Sequence, residues 1–147
     1  MIRRPPRSTQ SRSSAASDVY KRQAIHLAYT EPHRFAGLIV ESGFADIAPL
    51  LARLGVPPEI AGGAPDPVGN RRKMAEVRLP LLVIHGALDL LIPFADGQAL
   101  YEASPATNKR LVRIQEAGHN DLLMAGMEVY FEAIARFLQS VGQGQTG

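Results

Sequence analysis

Two short segments of this chain hold the residue types that general acid–base chemistry needs. One reads His85-Gly86-Ala87-Leu88-Asp89-Leu90-Leu91-Ile92-Pro93, the other Glu116-Ala117-Gly118-His119-Asn120-Asp121. A carboxylate that accepts a hydrogen bond from one ring nitrogen of a histidine fixes the ring's tautomer. It also stabilises the imidazolium formed when the other nitrogen takes a proton. Asp89 and His119 are the candidate acid and base. Asp89 has a bland alternative, since an aspartate after a strand often holds a turn by accepting backbone N–H groups just ahead of it, or caps the next helix. Asp121 lies on the same loop as His119 and is better placed to start the following helical segment. His85 precedes a glycine turn and reads as a backbone organiser, and His26 and His33 read as surface or helix-end residues.

Positioning those two segments requires rigid elements behind them. Residues 79–84 (LPLLVI) form an apolar run suited to a strand buried on both faces, and residues 110–114 form another. An earlier run, residues 37–41 (GLIVE), predicts a third strand. Helical spacing is present over residues 24–29, 47–54, 94–103 and 126–141, with Glu31-Pro32 ending the first of these. In the last helix Met124, Met127, Val129, Tyr130, Ile134, Phe137 and Leu138 are expected to supply the core-facing stripe. Pro57-Pro58, Gly62-Gly63 and Pro65 mark a loop-rich stretch. Helices alternating with continuous apolar strands predict an α/β fold with a mainly parallel sheet covered on both faces. Reactive groups in such sheets gather beyond the carboxyl ends of the strands, where both candidate loops fall.

The two loops in this order, HGALDLLIP and then EAGHND thirty residues later, followed by an apolar helix, resemble the acid and histidine loops of the α/β-hydrolases. The likeness is to the serine-aminopeptidase-like and esterase-like branch, and it extends over about four fifths of the chain. It implies a partial α/β-hydrolase fold, the C-terminal half of the sheet, with Asp89 as triad acid and His119 as triad base. It further implies hydrolysis of ester or amide bonds through an acyl-enzyme, without a metal or organic cofactor. The departure is the nucleophile: the family places it in G-x-S-x-G at a strained strand-to-helix turn, and no such pentapeptide occurs in this sequence. Ser42 follows the first strand without the preceding glycine and reads as a shaper of that edge. The expectation is therefore a fragment of a serine hydrolase, inactive alone, whose helix near Ala24 would follow the missing serine.

Composition bounds the alternatives. The 147 residues are 46% hydrophobic, enough for one domain with a real core. There is no cysteine, which removes disulfides, thiolate ligands and cysteine nucleophiles together, and four unclustered histidines do not suggest a metal site. The net charge of +2 misleads about partners. Residues 1–23 carry six of the 16 basic residues and one acid, leaving ten basic and 13 acidic residues elsewhere, a net −3 without a footprint for nucleic acid. Arg71-Arg72-Lys73 reads as a solvated helix face. No apolar run is long enough for a membrane span, and a cytoplasmic location is the default for a chain without an export signal.

Residues 1–23 (MIRRPPRSTQSRSSAASDVYKRQ) resemble translated sequencing-adapter sequence. Being rich in Arg, Ser and Pro, they are expected to form a disordered, non-native leader. The domain is expected over residues 24–141, with a flexible tail over 142–147. A second functional class also fits: a non-catalytic binding or dimerisation module that self-associates through an exposed sheet edge.

Overall fold

The computed structural model describes residues 2–3, 18–61 and 66–144. The strands are β1 (Ile2–Arg3), β2 (Phe35–Glu41), β3 (Leu81–Gly86) and β4 (Lys109–Ile114), and they lie in that order in one sheet. β2, β3 and β4 are parallel, with Leu38 opposite Leu81 and Leu81 opposite Lys109, while β1 pairs antiparallel with β2. The helices are α1 (Asp18–Thr30), α2 (Ile47–Arg53), α3 (Pro58–Ala61), α4 (Asn70–Met74), α5 (Phe94–Ala103), α6 (Leu122–Ala125) and α7 (Met127–Gly144). A 3-10 turn, Pro32–Arg34, links α1 to β2, as expected of a helix halted before Pro32.

Alternation along the strands sorts their side chains into two cores. Leu38, Val40, Leu81 and Val83 face α1, α4 and α5 and pack with Ile25, Ala28, Met74 and Leu100. Leu82, Ile84, Val112 and Ile114 face the other way, against Leu122, Ala133, Phe137 and Val141 of α6 and α7. All six residues of β3 are buried, which is why its sequence is a continuous apolar run without alternation. The result is the expected three-layer α/β arrangement.

Several details differ from expectation. On α7 the buried stripe is Ala133, Phe137 and Val141, with Tyr130 and Ile134 beside it. Met127, Val129 and Leu138, expected in that stripe, are exposed because α7 buries only a narrow face, and Met124, also expected there, is exposed on the separate α6. Lys73 is buried, although Arg71 and Arg72 are on the solvated face as expected. Helical backbone begins at Asp18, inside the segment expected to lack order, and residues 1 and 4–17 of that segment lie outside the described residues, as do Gly62, Gly63 and Pro65. α7 continues to Gly144, and residues 145–147 of the expected tail are likewise outside. Among the described residues no helix is long and apolar enough to cross a membrane.

Candidate active site

The loops after β3 and β4 meet at the carboxyl edge of the sheet. Backbone bonds tie them together: Ala87 N–H donates to Ile114 O at 2.9 Å and Leu88 N–H to Ala117 O at 2.9 Å. Gly86 makes that approach possible, since a Cβ there would lie 2.3 Å from the Ala117 carbonyl oxygen and 2.8 Å from that of Gly118. The glycine that punctuates the sequence is thus a contact surface between the two loops.

Asp89 is 5% exposed and its two oxygens have different duties. Oδ1 accepts from the N–H groups of Leu91 (3.0 Å) and Ile92 (2.8 Å), the turn-holding role that an aspartate after a strand can play. Oδ2 lies 2.9 Å from Nδ1 of His119. Asp89 therefore holds its own turn with one oxygen and meets the His119 ring with the other. With Nδ1–H donating to a carboxylate, the basic nitrogen of His119 is Nε2, the arrangement a general base requires. The His119 side chain is 13% exposed, so the pair is shielded while the ring remains reachable from the edge.

The histidine loop has its own fastening. Asp121 Oδ1 accepts from Gly118 N–H at 2.5 Å, and Asp121 stands just ahead of α6 as its N-cap residue, away from any role as partner acid to His119. His85 is fully buried, with Nε2 2.6 Å from Ile92 O and 3.6 Å from Asp89 Oδ2. Burial holds its pKa below the ordinary value, against the opposing pull of the Ile92 carbonyl, Asp89 and Asp96. Sequence reasoning missed Glu41, at the end of β2, which accepts a hydrogen bond from Tyr130 on α7. Burial and that carboxylate both push the Tyr130 hydroxyl's pKa upward. The two residues are 89 positions apart, and no local pattern links them.

Around β2 the setting is different. Ser42 is buried with a left-handed φ of 48°, its N–H donating to Ile84 O at 3.0 Å. It shapes the strand end, as its sequence context suggests. His26 is exposed on α1 and His33 is exposed in the 3-10 turn. Among the described residues no group of three or more His, Cys, Asp or Glu is placed to hold a metal.

Comparison with solved structures shows what this architecture is: an α/β-hydrolase fold, in part. An esterase from Pyrococcus furiosus superposes with a TM-score of 0.66 at 19% identity, covering 82% of this chain and 50% of that one. A monoacylglycerol lipase from Paleococcus ferrophilus matches with a TM-score of 0.61 at 16% identity, covering 82% of this chain and 65% of that one. By sequence, the chain is 38% identical over 69 residues to the mouse alpha/beta hydrolase domain-containing protein 17C, covering 47% of this chain and 20% of that protein. The Xenopus tropicalis counterpart is 36% identical over the same length. No protein-family model matches the chain. The matched stretch spans only about a fifth of the curated relatives, and over that stretch the sequence likeness points the same way as the fold, to the α/β-hydrolases.

Proposed function

We propose that Asp89 and His119 are the acid–base half of a Ser-His-Asp triad that hydrolyses acyl bonds, with the serine supplied by residues beyond these 147. The observation that carries the reading is the 2.9 Å contact between buried Asp89 Oδ2 and His119 Nδ1 at the carboxyl edge of the sheet. In the proposed reaction a serine oxygen attacks the substrate carbonyl carbon while His119 Nε2 takes the hydroxyl proton. The ring then hands that proton to the departing alcohol or amine as the acyl–oxygen or acyl–nitrogen bond breaks, leaving an acyl-enzyme that water opens by the reverse proton path. Asp89 remains ionised throughout, holding the ring and offsetting its transient charge. The esterase and lipase among the structural neighbours favour an ester over a peptide. A chain without the serine is expected to turn over nothing efficiently.

The test begins by sequencing the source DNA across the Ala24 codon. An in-frame G-x-S-x-G after an apolar strand is expected, and the restored chain should hydrolyse short p-nitrophenyl esters. His119→Ala in that chain should lower kcat about 10³- to 10⁴-fold. A restored chain indifferent to His119→Ala, or a genuine continuation of the basic leader, sinks the proposal.

A second reading is self-association through the outer edge of β2, which among the described residues is paired on that side at Gly37, opposite Ile2, and at Phe35, opposite Arg3. Gel filtration with light scattering on this chain should give a defined dimer if this reading is right, and monomer or aggregate if it is not.

A further inference from the structure

We propose that His85 is a positioning residue for the Asp89–His119 pair, its Nε2–H bond to the Ile92 carbonyl closing the loop that carries the acid. The inference rests on the Asp89–His119 reading above. Ile92 O can only accept, so the 2.6 Å contact places the ring proton on Nε2. Nδ1 is then unprotonated, and among the described residues it has no partner; it faces Gly97 on α5, where a Cβ would stand 2.6 Å from it. The ring cannot swing away from that position, because Gly97 lies against Nδ1 and Phe94 meets the ring edge-on at a centroid distance of 6.0 Å.

The consequence falls on Ile92, which is held on both sides of its own residue. Its N–H donates to Asp89 Oδ1 at 2.8 Å, and its carbonyl accepts from His85. Asp89 and His85 together therefore fix the chord of a loop only a few residues long, and Oδ1 is fully committed to that loop. Oδ2 is left to His119, with His85 Nε2 3.6 Å away, too long for a hydrogen bond. An apolar side chain could fill the space of the imidazole. It would leave the buried Ile92 carbonyl without its donor, and the cheapest relief is movement of the loop that aims Oδ2. A protonated His85 would gain little in this cavity, where burial opposes its charge.

The experiment uses the 147-residue chain labelled with ¹⁵N-histidine, reading ring tautomers and the exchange of ring protons. His85 should show the Nε2–H tautomer at and above its ordinary pKa of 6.5, where burial keeps the ring neutral. In His85→Leu the His119 Nδ1 proton should exchange about tenfold faster, the loss expected when one buried hydrogen bond no longer orders the loop. His85→Gln, whose amide nitrogen can reach the same carbonyl, should restore slow exchange to near the wild-type rate. Backbone amides of β3 should be unaffected in both, which separates aim from general loosening. If His85→Leu exchanges like wild type while Asp89→Asn exchanges fast, the loop is held by packing and His85 positions nothing. If Asp89→Asn also exchanges like wild type, the pair itself does not form, and both readings fall. Should His85→Leu not fold, the wild-type spectrum still decides: an Nδ1–H tautomer of the neutral ring overturns the proposal.

Discussion

At the ends of β3 and β4 the acid and histidine loops match their polar atoms almost one to one, whereas beside the end of β2 three buried polar atoms stand unmatched. Asp89, Asp121, His119, His85 and the backbone groups of Leu91, Ile92 and Gly118 pair within two short loops, with His85 Nδ1 the buried side-chain atom left over among the described residues. Beside β2, Ser42 Oγ, Asn70 Oδ1 and Asp96 Oδ2 are buried without partners among the described residues. Asn70 does donate to Phe44 O, and the Asp96 carboxylate accepts from Ala45 N–H while burial raises its pKa. The contrast is one of assembly. The first corner draws on two loops locked together by backbone bonds at Gly86. The second gathers single residues from the end of β2, from α4 and from α5, and each arrives with one polar atom to spare. A matched corner resists change to any member, and an unmatched one tolerates or even gains from it.

The sharpest test of that difference is Asp89→Ala. It strips the acceptor from the Leu91 and Ile92 N–H groups and from the His119 ring, all beside a buried position. Denaturant unfolding of the chain should show a loss of about 3–5 kcal/mol. Next comes Gly86→Ala, which puts a methyl group 2.3 Å from a backbone oxygen that cannot rotate away. The loops must part, at a cost of about 3 kcal/mol in the same experiment. If either change costs less than about 1 kcal/mol, the corner is not the interlocked unit described here.

How much of this could be read in advance divides along the same line. The strands, the α5 and α7 helices and the order of the two loops were legible because each is a local pattern: an apolar run, a 3.6-residue period, a turn with glycine. Asp89 and His119 were legible for the same reason, each being marked by its own short loop. What escaped depends on contacts between distant segments. The Tyr130–Glu41 bond, the burial of Lys73 and the unmatched atoms of Ser42, Asn70 and Asp96 arise only when α4, α5 and α7 settle on the sheet. The buried stripe of α7 is narrower than the apolar pattern implies, since an apolar side chain need not face inward: Met124 on α6 and Met127 on α7 are 80% and 51% exposed.

A smaller effect follows from pH. The folded-state pKa of His85 lies below its ordinary value of 6.5, chiefly through burial. Above 6.5 both folded and unfolded chains carry a neutral ring, and the full contribution of His85 is present. Below it the unfolded chain takes up a proton that the folded chain refuses, so stability falls as pH drops toward the folded value. Asp66 adds to acid sensitivity only at lower pH. Burial pulls its pKa up, but N–H groups of Gly69, Ile47 and Val68 outweigh that and set it below 3.8. Urea midpoints between about pH 7 and 5 should therefore decline in the wild type and flatten in His85→Gln. Equal slopes would show that the imidazole of the matched corner can accommodate charge after all.

The smallest expected effect has the opposite sign, and it addresses the unmatched corner directly. Ser42 combines a left-handed φ of 48° with a buried hydroxyl that has no hydrogen-bond partner among the described residues. Ser42→Ala removes the hydroxyl and keeps the strained backbone, so any gain measures the cost of the orphaned group. Ser42→Gly removes both, and the difference between the two variants measures the backbone strain, less the entropy that glycine adds to the unfolded chain. Ser42→Ala should raise stability by up to about 1 kcal/mol. Ser42→Gly should do no worse, because relief of a positive φ and the glycine entropy cost are each about 1 kcal/mol and nearly cancel. A loss of about 1 kcal/mol in Ser42→Ala would mean that the hydroxyl is bonded in solution to an ordered water. The β2 corner would then be as fully matched as the corner that carries Asp89 and His119, and the difference between them would vanish.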